Sequence, residues 1–161
     1  HADRQPLPGV TTVTDSPPTG GPVPLTAEGG AHEFTQLAEL SEELAGRLGD
    51  WSTDGADPSS AGTMASLAAR LTEHAGWWRD RIPESVLLAE ARDRAFDPAR
   101  LDAVLSMLDV APADRTEAVA MILDGLVAHL VGLADRLAPV GDAPARRVVR
   151  LVLADLADRP R

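Results

Sequence analysis

Hydrophobic residues recur at three- and four-residue steps through most of the chain after residue 28, and this spacing predicts amphipathic helices. The first predicted helix covers about residues 31–51. The second begins after Ser59 or Ser60 and continues to about Ile82, before the helix-stopping Pro83. The first helix carries an apolar stripe of Phe34, Leu37, Leu44, Leu48 and Trp51, and the second a stripe of Met64, Leu67, Leu71, Ala75 and Trp78.

The pattern in the middle of the chain predicts one or two short helices. One covers residues 86–95, and the other begins after Asp97 as cap and Pro98 in the first turn. The strongest apolar stripe follows in "APADRTEAVAMILDGLVAHLVGLADRLAP", and a last helix is predicted over residues 143–158. Four long helices with short ones inserted at mid-chain predict an all-α fold. The expected architecture is an antiparallel four-helix bundle whose two helix pairs are joined by a long connection.

The first 28 residues contain six of the thirteen prolines and lack helical periodicity. Such a segment buries too little apolar surface to offset the entropy of ordering it. We therefore predict a flexible N-terminal tail over residues 1–28 and a helical domain over residues 29–161.

Composition narrows the classes of function. The net charge of −10 opposes binding to nucleic acid and to anionic membrane lipids, and the absence of Cys removes thiol chemistry and disulfides. No apolar run approaches eighteen residues and no basic-then-apolar leader is present, so we expect a cytoplasmic protein. All fifteen basic residues are Arg, which is typical of GC-rich coding sequence such as that of actinobacteria.

The candidate chemistry is concentrated in "LTEHAGWWRDRIPE". His74 follows Leu71 by three residues and precedes Trp78 by four, so its ring is expected to face the interior. Two interpretations remain open. His74 is either a core histidine satisfied by a carboxylate or carbonyl, or an acid–base residue inside the bundle.

His129 shows a related spacing, three residues after Leu126 and four before Leu133, which places it on or beside an apolar stripe. If the two helices pack together, His74 and His129 could approach each other in the interior. Trp77 and Trp78 point about 100° apart on the helix, and either pack in the core or form the wall of a binding pocket. The candidate catalytic residues are therefore His74 and His129, and the candidate substrate-binding residues are Trp77 and Trp78.

The runs "LAARLTEHAGWWRDRIPE" and "LVAHLVGLADRLAPVGDAPARRVVRLVLADL" resemble small actinobacterial proteins of the ferritin-like fold. That resemblance implies a four-helix bundle, in which the metal-dependent members hold two irons with Glu and Glu-x-x-His motifs. This chain has Leu71 and Leu126 where the motif would require Glu, so we predict no di-iron centre, no metal and no cofactor. A single metal held by His74, His129 and one carboxylate is the alternative that the sequence leaves open.

Three functions remain. The first is a metal-free enzyme, or enzyme subunit, acting on a small molecule in bacterial specialised metabolism, with an interior histidine transferring a proton. The second is a non-catalytic helical protein that binds a ligand, a protein partner or a second copy of itself. The third is a residual metal-dependent oxidase of the ferritin-like type.

Overall fold

A computed structural model describes residues 20–95 and 97–159 of the chain. This described part is helical and contains no strand, which confirms the all-α prediction. Its α-helices are α1 (Ala27–Thr53), α2 (Ala61–Arg79), α3 (Ala89–Ala95), α4 (Pro98–Ser106), α5 (Arg115–Arg136) and α6 (Ala143–Ala157), with short 3-10 turns at Val86–Leu88 and Pro112–Asp114.

Helices α1 and α2 form an antiparallel hairpin. Phe34 near the start of α1 stacks on Trp78 near the end of α2, with ring centroids 6.1 Å apart. The connection between them is closed by Asp57, whose carboxylate accepts hydrogen bonds from the hydroxyls of Ser59 and Ser60. Ser60 thus occupies the predicted N-cap position of α2, but its side chain makes no capping bond to the helix.

The N-terminal boundary differs from the prediction. Helix α1 begins at Ala27, where the Thr26 hydroxyl accepts the Gly29 amide 3.0 Å away, so Ala27 and Glu28 are helical rather than part of a tail. Leu25 is also held, because its amide donates to the Arg136 carbonyl over 2.9 Å. Residues 20–24 are described and non-helical, and Arg136 donates to the Val23 carbonyl over 3.1 Å. Residues 1–19 of the predicted tail lie outside the described residues.

The segment between α2 and α5 runs the length of α1. Its contacts with α1 follow one another from the start of α1 towards its end. Arg94 of α3 binds Glu28, Arg100 of α4 donates to Gln36, and Asp109 binds Arg47 at 3.2 Å. Asp97 caps α4 as predicted, since its carboxylate accepts the amide of Arg100. The connection therefore returns the chain to the other end of the molecule before α5 begins.

Helices α5 and α6 form the second hairpin. Helix α5 runs antiparallel to α1, since Arg115 at its start binds Asp54 and His129 near its end binds Glu33. Leucines, alanines and aromatic rings from the four long helices form one hydrophobic core, together with Leu108 from the crossing segment. The side chains with almost no solvent exposure include Leu44, Leu48, Met64, Leu71, Trp78, Leu123, Leu130, Val149 and Val152.

One described helical segment, Pro112–Arg136, is long and apolar enough to cross a membrane by length and composition alone, with a mean hydropathy of 1.7. The core helix of a soluble protein passes the same test, and a single such helix is weak evidence for a membrane location. The stripe of α5 from Val119 to Leu133 contributes to the core described above.

Arg115 joins the start of α5 to the end of α1. Its Nη2 lies 2.7 Å from an Asp54 carboxylate oxygen, and its guanidinium carbon lies 4.7 Å from the centre of the Trp51 ring, a cation–π contact. The hydrogen bond from Arg115, together with one from the Ala56 amide, holds the pKa of Asp54 below its usual value of 3.8. Arg115 is buried, so Asp54 is the charge that offsets its removal from water.

This contact predicts an acid-dependent part of the stability. Because the pKa of Asp54 is lowered in the folded protein, its contribution is present above the unfolded pKa and is lost as the pH falls through the folded pKa. Asp54→Asn should therefore unfold at lower urea than the wild type at pH 7, and the difference should shrink towards about pH 3. Asp50→Asn, at an exposed position in the last turn of α1, is the matched control and should leave the midpoint unchanged. An Asp54→Asn difference independent of pH would contradict the ionic origin.

Candidate functional site

His74 lies on the core-facing side of α2 and is fully buried, as its spacing from Leu71 and Trp78 predicts. Its Nε2 lies 2.9 Å from an oxygen of Asp155 on α6. A carboxylate can only accept a hydrogen bond, so Nε2 carries the hydrogen and donates the hydrogen bond to Asp155. The other ring nitrogen, Nδ1, is buried without a hydrogen-bond partner.

The surroundings of His74 join α2 to α6. Arg70 donates to the Asp155 backbone carbonyl over 2.9 Å and lies 3.8 Å from the Asp158 carboxylate. The Trp77 ring lies against the imidazole, with centroids 5.3 Å apart. This cluster supplies one buried histidine with a carboxylate and an aromatic neighbour, and it lies at the contact between the two hairpins.

Trp77 and Trp78 have different environments. Trp78 is fully buried in the core, where it stacks on Phe34. Trp77 is half-buried and faces a shallow depression of about 530 Å³ between the end of α2 and the start of α6, which is lined by Trp77, Asp80, Arg81, Ala143, Pro144, Arg147, Val148 and Leu151. Of the two predicted wall residues, only Trp77 reaches a concave surface.

A second cavity, of about 290 Å³, lies between α1, α4 and α5, and we call it the α1/α4/α5 groove. Its volume is close to the lower end of the range of about 300–1,000 Å³ typical of small-molecule sites. Its lining comprises Glu33, Gln36, Leu37, Glu39, Leu40, Asp97, Arg100, Leu101, Val104, Met107, Met121, Ile122, Gly125, Leu126 and His129.

Polar and apolar residues separate along the groove. Helices α1 and α4 run in the same direction and α5 runs oppositely, so one end of the groove is formed by the start of α4 and the other by its end. The polar end holds Glu33, Gln36, Asp97, Arg100 and His129; the apolar end holds Leu40, Val104, Met107 and Met121. Of the three acidic residues that line the groove, Glu39 alone lies outside the polar end, next to Leu40 on α1.

His129 forms the polar end with Glu33. Its Nε2 binds the Glu33 carboxylate, which has 14% of its side chain exposed, whereas the His129 side chain is 40% exposed. His129 therefore lies beside the apolar stripe and not in the interior, so the conditional prediction that it approaches His74 there is wrong. His129 precedes Leu130 by one residue, which turns it about 100° from that fully buried leucine and towards the groove.

The two histidines consequently occupy different contacts. His74 binds a carboxylate of α6 in the interior, and His129 binds a carboxylate of α1 on the groove wall. Within the described ranges, no group of three or more His, Cys, Asp and Glu side chains is arranged to hold a metal ion.

Sequence reasoning missed the groove because its third wall comes from the crossing segment. Leu101 and Val104 of α4 are only partly buried and line the groove, and Val104 also packs against the core. Gly125 was also overlooked. A Cβ built there would have no neighbour within 4 Å beyond the backbone of its own helix, so this glycine leaves open space in the groove wall.

The chain matches no family model, no curated protein and no solved structure. Its function must therefore be inferred from the geometry of these two sites.

The different exposures of the histidines predict different costs of removing them. His74→Ala should lower the free energy of unfolding by about 1–3 kcal/mol, because it leaves a cavity and removes the buried partner of Asp155. His129→Ala removes a side chain that is 40% exposed and should cost less, about 0–1 kcal/mol. His74→Gln should recover part of the loss, since its amide can still donate to Asp155. Urea unfolding measures all three, and equal losses for His74→Ala and His129→Ala would contradict the assignment.

Proposed function

We propose that the protein is a small-molecule-binding protein built on a ferritin-like four-helix bundle that works without a di-iron centre. The observation that carries the binding function is the α1/α4/α5 groove, a cavity with one polar and one apolar end. Small-molecule sites combine such an apolar lining with a few polar groups that orient the ligand.

The ferritin-like assignment is supported by the path of the chain. Neighbouring long helices run antiparallel, and the connection from α2 to α5 crosses the length of the molecule, as the single long crossover of ferritin-like bundles does. This chain differs from the metal-dependent members at the positions three residues before the two histidines. Leu71 and Leu126 stand there, where the iron-binding motif would require Glu. A residual metal-dependent oxidase has less support, since no cluster of metal-binding side chains occurs among the described residues.

We further propose that α5 is a core helix and that the protein is cytoplasmic. Its buried stripe packs against the other long helices, and the net charge of −10 opposes attraction to anionic lipid. A role in bacterial specialised metabolism belongs to the same proposal and rests on the resemblance in sequence alone.

A substitution at Gly125 tests binding in the groove. Gly125→Leu should fill the open space and weaken binding of the uncharged fluorophore N-phenylnaphthylamine by about tenfold or more, which corresponds to about 1.4 kcal/mol. Gly132→Leu is the matched control: it lies on the same helix, also has open space around its Cβ, and does not line the groove. Both variants should be as stable as the wild type or more so, because Gly costs about 0.5–1 kcal/mol inside a helix. Unchanged binding by Gly125→Leu would refute a ligand site here.

A second function, proton transfer to or from the bound molecule, is favoured by the His129–Glu33 pair. A histidine on a cavity wall with a carboxylate behind it is the arrangement that orients a general base. We assign this role to His129 rather than to His74, because His74 is fully buried and lines neither cavity described above.

Chemical modification tests whether His129 faces the ligand. Diethyl pyrocarbonate acylates an accessible neutral imidazole, so His129 should be labelled quickly and the buried His74 slowly. Bound N-phenylnaphthylamine should slow the labelling of His129, as located by peptide mass spectrometry. His32, on α1 and outside the groove lining, is the internal control for reagent reactivity. Labelling of His129 that is insensitive to the fluorophore would remove it from the proposed site.

A further inference from the structure

The α1/α4/α5 groove carries more negative than positive charge. Its lining includes the carboxylates of Glu33, Glu39 and Asp97 and a single guanidinium, that of Arg100. The whole chain also has a net charge of −10 with histidine counted as neutral. Fields of one sign in a cleft with apolar walls raise the local concentration of the opposite charge, so the groove favours a cation.

Glu33 is the carboxylate best placed to bind that cation. Only 14% of its side chain is exposed, and its contact with His129 uses one oxygen, Oε1. A carboxylate has about four lone-pair positions, so this one contact leaves acceptor capacity for a second donor. A charge-assisted hydrogen bond at a position mostly removed from water is stronger than one on the surface.

The other charges at the polar end are already engaged. Asp97 accepts the backbone amide of Arg100 at the start of α4, and the Arg100 guanidinium lies 3.3 Å from the side-chain oxygen of Gln36. At the polar end, an anionic group would have one exposed guanidinium to bind, that of Arg100, and the two carboxylates of Glu33 and Asp97 to repel it. An ammonium group would be attracted by the carboxylates and repelled only by the guanidinium.

We propose that the ligand of the groove is a protonated amine carrying one apolar chain or ring system. Its ammonium group binds Glu33 at the polar end, and its apolar part lies along Leu40, Val104 and Met107. This inference rests on the proposed binding function, and it adds the charge and the shape of the ligand. The exposed methionines, Met107 and Met121, line the apolar end with flexible side chains that adapt to different apolar groups.

Three probes with the same apolar chain test the charge. Octylamine, octanoate and octan-1-ol carry a positive, a negative and a neutral head, and each is titrated against the full chain with bound N-phenylnaphthylamine. Octylamine should displace the fluorophore with about tenfold higher affinity than octan-1-ol, and octanoate should be the weakest of the three. This comparison needs only the wild-type protein, so it holds whether or not a variant folds.

A variant then locates the charge. Glu33→Gln should lower the affinity for octylamine by about tenfold and leave that for octan-1-ol unchanged. Glu43→Gln removes the same charge from an exposed position of the same helix and should change neither. The inference would be overturned if the three probes bound equally or if octanoate bound most tightly. It would also be overturned if Glu33→Gln left the affinity for octylamine unchanged.

The failure of this inference is distinguishable from that of the proposed function. If Gly125→Leu weakens fluorophore binding but the amine shows no preference, the groove binds small molecules of another charge. If Gly125→Leu leaves fluorophore binding unchanged, the groove is not the site and both proposals fail. Fluorophore binding that decreases as the protein concentration rises would show that a second copy of the chain occupies the groove, which also overturns both.

Discussion

The pairing of His74 with Asp155 fixes how the two helical hairpins meet. The imidazole is fully buried, and the one hydrogen-bond partner it has in the structure comes from the other hairpin. A shift of α6 by one residue would rotate Asp155 about 100° away and leave both ring nitrogens unpaired in the interior. Buried polar groups without partners are costly, so the register of α6 against α2 is tightly constrained.

Further contacts join the two hairpins. On one side, Arg70 reaches the end of α6; on the other, Arg115 and His129 hold α5 against α1. The chain must then return from the end of α2 to the start of α5, and the crossing segment lies along α1 to do so. Because α4 packs against α1 through partly buried side chains, it leaves the groove open instead of closing it.

Much of the fold could be predicted from the spacing of apolar residues. The stripes of α1, α2 and α5 depend on neighbours three and four residues apart, and Phe34, Trp78 and Leu126 lie in the core as that spacing requires. The interior position of His74 follows from the same rule.

The site was harder to predict because it depends on the packing of separate helices. A stripe defines which side of a helix is buried but not which neighbour covers each edge of it. His129 lies at such an edge, where α4 covers the helix incompletely, so periodicity alone could not distinguish a buried ring from one on a cavity wall. Gly125 gave no signal in the sequence, because open space around a helical glycine depends on how the neighbouring helices pack.

The filled core also limits where chemistry can take place. In the metal-dependent ferritin-like bundles, the reacting groups project into the centre of the bundle. Here the centre contains Met64, Leu71, Trp78 and Leu130, and the stacked Trp78 and Phe34 rings occupy the space between α1 and α2. The one buried imidazole is held on a carboxylate beside that core. The flank differs from the centre, because α4 only partly covers α1 and α5 there and the side chains of His129 and Glu33 line the groove that this leaves.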